Sequence, residues 1–192
     1  MPYRGLSAVA MRSSRSIRMF VAVDVPEGVS SHIISSLEGI EELGARVVRK
    51  DDMHATLAFF GGVETEQQDL LCGIIDRVES RRFRIDLSGF GLLGRRIVYA
   101  KITEGADSLR TISSRLKAGA RAAGIDADMK DFLPHVTIAR IRNGREESVR
   151  KFIEGINDAG PWSFICTRIS AKRSDFTKGR VEHTEVCLKE LI

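Results

Sequence analysis

His54-Ala55-Thr56-Leu57 and His135-Val136-Thr137-Ile138 are two copies of one pattern, a histidine and a threonine alternating with apolar residues. In a β-strand successive side chains point to opposite faces. Strict alternation therefore puts His54, Thr56 and Ala58 on one face and Ala55, Leu57 and Phe59 on the other. The second copy sets His135, Thr137 and Ala139 against Val136 and Ile138. Each strand buries an apolar face and presents an imidazole beside a hydroxyl. The two histidines are 81 residues apart, which reads as two matching strands in two matching lobes facing one cleft.

Imidazole titrates near neutrality, so it gives or takes a proton at physiological pH. A threonine hydroxyl two residues on, about 7 Å along the same face, can donate a hydrogen bond to an anionic oxygen. One such strand is a weak signal. Two that face each other supply two proton-transfer groups and two hydroxyl donors around one central anion. That set suits phosphodiester hydrolysis without a metal. One neutral histidine deprotonates water, and a protonated one on the opposite side delivers a proton to the leaving oxygen. Thr56 and Thr137 hold the non-bridging oxygens as charge develops on them. The spacings of common metal sites, P-loops, dinucleotide fingerprints and nucleophile elbows are missing. His32 reads as a surface residue, and His183 as a core-edge or cleft-rim residue.

With 43% hydrophobic and 29% charged residues, the 192-residue chain has ordinary globular composition. It is long enough for a core without staples. The net charge of +4 is mildly basic, compatible with an anionic partner such as RNA. Cys72, Cys166 and Cys187 lie in apolar patterns with no C-x-x-C spacing. They read as buried structural thiols in a reducing cytosol, hence a cytoplasmic protein. No apolar run is long enough to cross a membrane. Residues 1–16 read as a mobile basic extension, and residues 17–192 as one bilobal domain.

The chain in order alternates strands and helices. Strands are expected at 17–25, 45–49, 53–60, 83–87, 96–102, 135–141, 162–171 and 182–190. Helices are expected at 27–43, 65–79, 105–123 and 145–157, with apolar residues at helical spacing. Gly61-Gly62 reads as a strand stop and Gly89, Gly91 and Gly94 as a loop, with turns at Asn143-Gly144 and around Thr177-Lys178-Gly179. Several strand pairs have connections short enough only for antiparallel pairing. The expected class is α+β, two pseudo-symmetric lobes of mostly antiparallel sheet backed by helices.

The two His-x-Thr-x copies resemble the paired motifs of the two-histidine (2H) phosphoesterases. Within them the chain looks like the LigT-type RNA 2′,3′-cyclic phosphodiesterases, also called 2′-5′ RNA ligases. The likeness covers nearly the whole chain from Ile17. Arg18-Met-Phe-Val-Ala-Val-Asp-Val-Pro26 is similar to the family's first strand, and His54-Ala-Thr-Leu-Ala-Phe-Phe-Gly61 to its first motif. Phe90-Gly91 through Val98-Tyr99-Ala100 is similar to its central hairpin, and Pro134 through Arg142 to its second motif. The resemblance implies hydrolysis of a terminal 2′,3′-cyclic phosphate on RNA, such as a tRNA half or an oligonucleotide, to a 2′-phosphomonoester. It implies no metal and no cofactor. By the family's pattern His54 is the proton donor and His135 the proton acceptor, Thr56 and Thr137 bind phosphate, and Arg140 reaches phosphate or base. The residues alone leave the acid and base assignment open.

Two stretches depart from that pattern. Lys172 to Thr177 stands where many relatives carry a Leu/Tyr-x-Ser-x-Leu-like stretch, and His183 where they often have Tyr. Phe60, Phe90 and Phe176 are candidates for stacking on a base, against core packing for each. A monomer is expected. Competing readings are reversible 2′-5′ ligation, in which a 5′-hydroxyl replaces water, and an RNA-end or nucleotide-binding module with little turnover.

Overall fold

The computed structural model describes residues 16–142, 145–177 and 179–192. The expected basic extension, Ser16 excepted, the Asn143-Gly144 turn and Lys178 of the last turn lie outside the described residues. The chain runs β1 (Ile17–Asp24), α1 (Glu27–Ser36), β2 (Ala45–Val47), a 3₁₀ turn (Lys50–Asp52), β3 (His54–Val63) and α2 (Thr65–Asp76). It continues through β4 (Phe83–Leu93), β5 (Ile97–Glu104), α3 (Ala106–Ala122), β6 (His135–Ile141) and α4 (Glu146–Gly155). It ends with β7 (Trp162–Cys166), β8 (Arg168–Thr177) and β9 (Arg180–Glu190).

Two antiparallel sheets result, ordered β3-β1-β8-β9 and β2-β6-β5-β4-β7. Apart from β2, each motif strand starts an equivalent row of four, so the α+β class and the duplication are as expected. Helices α2 and α3 pack on β9 and β3, while α1 and α4 pack on β7 and β4. Met19, Val21, Leu57, Leu71, Ile75, Leu109, Ile112 and Leu116 are among the buried side chains. So are Ile33, Leu37, Ile85, Leu87, Val136, Ile138, Val149 and Ile153.

The lobes are not the two halves of the sequence. β2 crosses into the β6 sheet, and β8 and β9 return to the β3 sheet. The strand expected at 162–171 is therefore two strands in two sheets, separated at Thr167. An apolar run reads the same whether it stays in one sheet or changes sheets, so the pattern could not reveal the break.

Three other expectations are corrected. Helix α1 ends at Ser36 rather than 43, because Gly39 and Gly44 adopt φ of +89° and +85°. The segment continues as i+3 turns such as Ile40 N–H to Leu37 C=O (3.0 Å), which keeps Ile40 buried. Gly61-Gly62 does not stop β3. A Cβ on Gly61 would lie 3.1 Å from Asp126 Oδ2, and one on Gly62 would lie 2.9 Å from the Ser16 Cβ, so the glycines admit neighbours and the strand runs on to Val63. Gly89 and Gly91 belong to β4, with only Gly94 in the following turn. The Tyr99 ring lies over Gly91, where a Cβ would sit 2.6 Å from it.

The cysteines also differ from expectation. Cys72 on α2 and Cys187 on β9 form a disulfide, with Cα atoms 6.0 Å apart across 115 residues of sequence. Only Cys166 is a free buried thiol, and burial pushes its pKa up to about 12. The pairing results from α2 docking behind β9, which no local spacing announces. Among the described residues no helix is long and apolar enough to cross a membrane.

Both motif strands carry a β-bulge at the same place. In β3, Thr56 opposes Ala22 and Ala58 opposes Val21, so Leu57 has no partner across β1. In β6, Thr137 opposes Tyr99 and Ala139 opposes Val98, so Ile138 is the extra residue. The carbonyl of Leu57 accepts the buried Ser113 hydroxyl of α3 at 2.6 Å, and that of Ile138 accepts Val48 N–H at 2.8 Å. Replacing Ser113 with Ala is expected to strand the Leu57 carbonyl and cost about 1–3 kcal/mol. Urea unfolding of Ser113→Ala against the parent protein checks this.

Candidate active site

The bulge decides what each motif strand presents. A bulge inserts one residue and re-aims the side chains beyond it. Leu57 and Ala58 are both buried, and Phe59 is 55% exposed. Ile138 and Ala139 are likewise buried and Arg140 is exposed. The expected placement of Ala58 and Ala139 on the histidine face is thus corrected, as is that of Phe59 on the buried face. The outward set is His54, Thr56 and Phe59 on β3 and His135, Thr137 and Arg140 on β6. The imidazoles and hydroxyls are half-buried on both strands.

His54 opposes Asp24 across β1, and His135 opposes Lys101 across β5. His135 Nδ1 lies 2.7 Å from the Leu133 carbonyl oxygen. A carbonyl only accepts, so Nδ1 carries the proton and Nε2 is the nitrogen left for chemistry. The Tyr99 ring meets His135 edge-on at 5.5 Å. Tyr99 is held over Gly91, where no side chain intervenes. Arg140 opposes Ile97 on one side and Arg46 on the other, so two guanidinium groups border this strand.

The surroundings of His54 are more crowded. Its ring stacks on Phe20 at 4.9 Å and meets His183 edge-on at 5.6 Å. His183 also meets Phe20 edge-on at 4.9 Å, and its Nδ1 lies 3.2 Å from the Ser174 hydroxyl oxygen. The Lys172 ammonium pairs with Asp24. Burial, then Lys172 and His183, push the His54 pKa down to about 4, while Asp24 and the Asp52 carbonyl pull the other way. Burial also lowers the pKa of His183. These neighbours therefore hold His54 neutral at physiological pH. A bound phosphate anion beside it would favour the imidazolium.

Four site residues predicted from the sequence, His54, Thr56, His135 and Thr137, occupy equivalent positions on equivalent strands, and Arg140 comes after the second bulge on the same face. His183 is brought to His54. Phe59 of the motif strand itself completes the surroundings, with Phe20, Asp24, Tyr99 and Lys101, four residues that carry no sequence motif of their own. Strand pairing brings them there, so their sequence signal is only period-two alternation within β1 and β5. Phe60 and Phe90 are 2% and 3% exposed and belong to the core. Of the three stacking candidates only Phe176 is exposed. His32 is exposed on α1. Among the described residues no cluster of three or more His, Cys, Asp or Glu is placed to hold a metal ion.

The His54 environment generates two measurable outcomes. Lys172→Met removes a cation and leaves the Asp24 carboxylate unpaired, so the His54 pKa should rise from about 4 toward its ordinary 6.5, read from the ring C–H shifts by NMR. Because the folded pKa is below the unfolded one, the unfolded chain binds this proton first as pH falls. Stability contributed by neutral His54 is complete above about pH 6.5 and declines as pH falls toward about 4. His54→Gln should flatten that part of a stability-against-pH curve.

Residues 25–175 match the sequence model of the 2′-5′ RNA ligase superfamily. A curated relative from Escherichia coli K12, named RNA 2′,3′-cyclic phosphodiesterase, is 29% identical over 170 residues, covering 87% of this chain and 92% of the relative. One of the same name from Thermotoga maritima is 30% identical over 135 residues, covering 66% and 71%. Among solved structures, E. coli LigT complexed with 3′-AMP superposes with a TM-score of 0.75 at 25% identity, covering 93% of this chain and 99% of that one. A structure described as a phosphoesterase gives a TM-score of 0.77 at 23% identity, covering 92% and 98%, a likeness of fold. The superfamily match contains both bulged His-x-Thr strands, and the chain belongs to the 2′-5′ RNA ligase superfamily.

Proposed function

We propose that this protein hydrolyses RNA 2′,3′-cyclic phosphate ends to 2′-phosphomonoesters by proton transfer between two histidines. The observation that carries the reading is the repeated strand, with the same motif, the same bulge and the same burial sequence in both sheets. A water oxygen attacks phosphorus while the bond from phosphorus to the 3′ oxygen breaks. One imidazole takes the water proton, and the other gives a proton to the departing 3′ oxygen. Thr56 and Thr137 donate to the non-bridging oxygens, and Arg140 neutralises charge at the substrate. No metal enters these steps.

In this reading His54 is the proton donor and His135 the proton acceptor. Phosphate binding would have to lift His54 well above about 4 for it to serve as the acid. That same low value favours a second assignment, in which neutral His54 is the base and His135 the acid. A substrate with sulfur at the 3′ bridging position separates the two, because a thiolate leaves without a proton. The variant lacking the acid is rescued by the sulfur substrate, and the one lacking the base is not.

The same displacement with a 5′-hydroxyl in place of water as the nucleophile breaks the same bond to the 3′ oxygen and forms a 2′-5′ linkage. We further propose a cytoplasmic monomer. The Cys72–Cys187 bond bears on the first point, and alkylation of cell extracts before and after reduction measures its state in the cell. His54→Ala and His135→Ala should each lower kcat/KM by about 10²–10⁴-fold, and EDTA should leave the parent rate unchanged. Activity surviving in the double variant would overturn the proton-transfer reading. Loss of activity in EDTA would make the histidines metal ligands. Tight binding of a phosphate end without turnover would favour a binding module.

A further inference from the structure

The hairpin of β8 and β9 has two faces of opposite chemistry. On one face Arg173 pairs with Asp175 at 2.7 Å and Arg180 pairs with Glu182 at 2.5 Å. On the other face Lys172, Ser174 and Phe176 of β8 stand opposite Glu185, His183 and Val181 of β9. This second face is the one that sets His183 against Phe20 and His54. It is continuous with the candidate site, since Phe20 opposes Lys172 across β1. At its far end Phe176 is 77% exposed and Val181 is 50% exposed, a cross-strand apolar pair that no other described residue covers.

Such a pair gains nothing for the core and is free to make a contact. Two side chains are far too few for a stable protein interface, which buries about 1,200–2,000 Å². They match the flat face of one unstacked base, which packs on aromatic rings in single-stranded RNA recognition. Phe176 is four residues from Lys172, about 13 Å along a strand. That is the scale of a neighbouring nucleotide rather than of the cyclic phosphate itself. The adjoining ion pairs keep Asp175 and Glu182 on the other face, and Glu185 on this face lies 4.0 Å from the Arg168 guanidinium.

We propose that Phe176 and Val181 form a platform for the base of the penultimate nucleotide, the one on the 5′ side of the nucleotide that carries the cyclic phosphate. The protein then selects an RNA end over a mononucleotide. This rests on the phosphodiesterase reading of the same site. His54 and His135 act on the phosphate, and the hairpin face recognises the chain attached to it.

The test compares kcat/KM for cytidine 2′,3′-cyclic monophosphate with that for a dinucleotide ending in cytidine 2′,3′-cyclic phosphate. The parent protein should prefer the dinucleotide. Phe176→Ala should lose about five- to tenfold on the dinucleotide, the low end of one base–aromatic stack, and leave the mononucleotide unchanged. Phe176→Trp should retain the preference. Circular dichroism and thermal unfolding check that the exposed substitution leaves the fold intact. Equal losses on both substrates, or no change on either, overturn the platform while leaving the phosphodiesterase reading standing. So does a parent dimer that Phe176→Ala dissolves with the substrate ratio unchanged, which would make this face a contact between copies. If the parent hydrolyses neither substrate, the phosphodiesterase reading fails and the platform fails with it.

Discussion

Each motif strand is braced by the segment that leads into the other. Val48 N–H, just before the turn into His54, donates to the Ile138 carbonyl in the bulge of β6, and β2 pairs with β6 immediately before it. Reciprocally, Asp128 N–H donates to Phe59 C=O at 2.9 Å and Gly61 N–H to Asp126 C=O at 3.2 Å, on the approach to His135. The free edges of β3 and β6 are thus covered by the chain that delivers the opposite histidine. Each brace is a small set of hydrogen bonds of modest net stability. Their value is geometric, because moving one motif strand drags the entry of the other. Chemistry that needs an acid and a base on opposite sides of one phosphorus depends on that spacing.

The bulges serve the same end. Without an extra residue, a strand that buries Leu57 would also bury Phe59, and one that buries Ile138 would bury Arg140. The insertion releases one position beyond each threonine toward solvent while the core face stays closed. Its cost is an unpaired carbonyl on each strand, and both carbonyls are satisfied, one by Ser113 and one by Val48. An irregularity repeated in two sheets and hydrogen-bonded in both is a feature of the site rather than a defect of the ladder.

The two histidines are duplicated in place but not in environment. His135 has an open neighbourhood of Tyr99, Lys101 and the Leu133 carbonyl. His54 lies among Phe20, His183 and the Lys172–Asp24 pair, where its charged form is disfavoured. Unequal surroundings let one motif, used twice, present its imidazoles to different neighbours, and those of His54 hold its ring neutral. The difference comes from β1, β8 and β9 on one side and β4 and β5 on the other. The duplication that makes the pair also frees its two members to diverge.

The residues themselves determined a good deal. Alternation marked the motif strands, helical spacing marked the four helices, and the repeated His-x-Thr named the four central side chains and the two-lobed α+β plan. These are local properties, written in periods of two and 3.6, and a single chain carries them openly. The sheet assignment of β2, β8 and β9 was decided only by tertiary structure. So were the break at Thr167, the Cys72–Cys187 bond, the bulges, and the gathering of Phe20, Lys172 and His183 around His54. Each depends on which distant segment lies alongside, and hydrophobic patterning is indifferent to partner identity. A strand's sequence states which face is buried, but only its neighbours in the sheet decide which charges and rings its outward histidine meets.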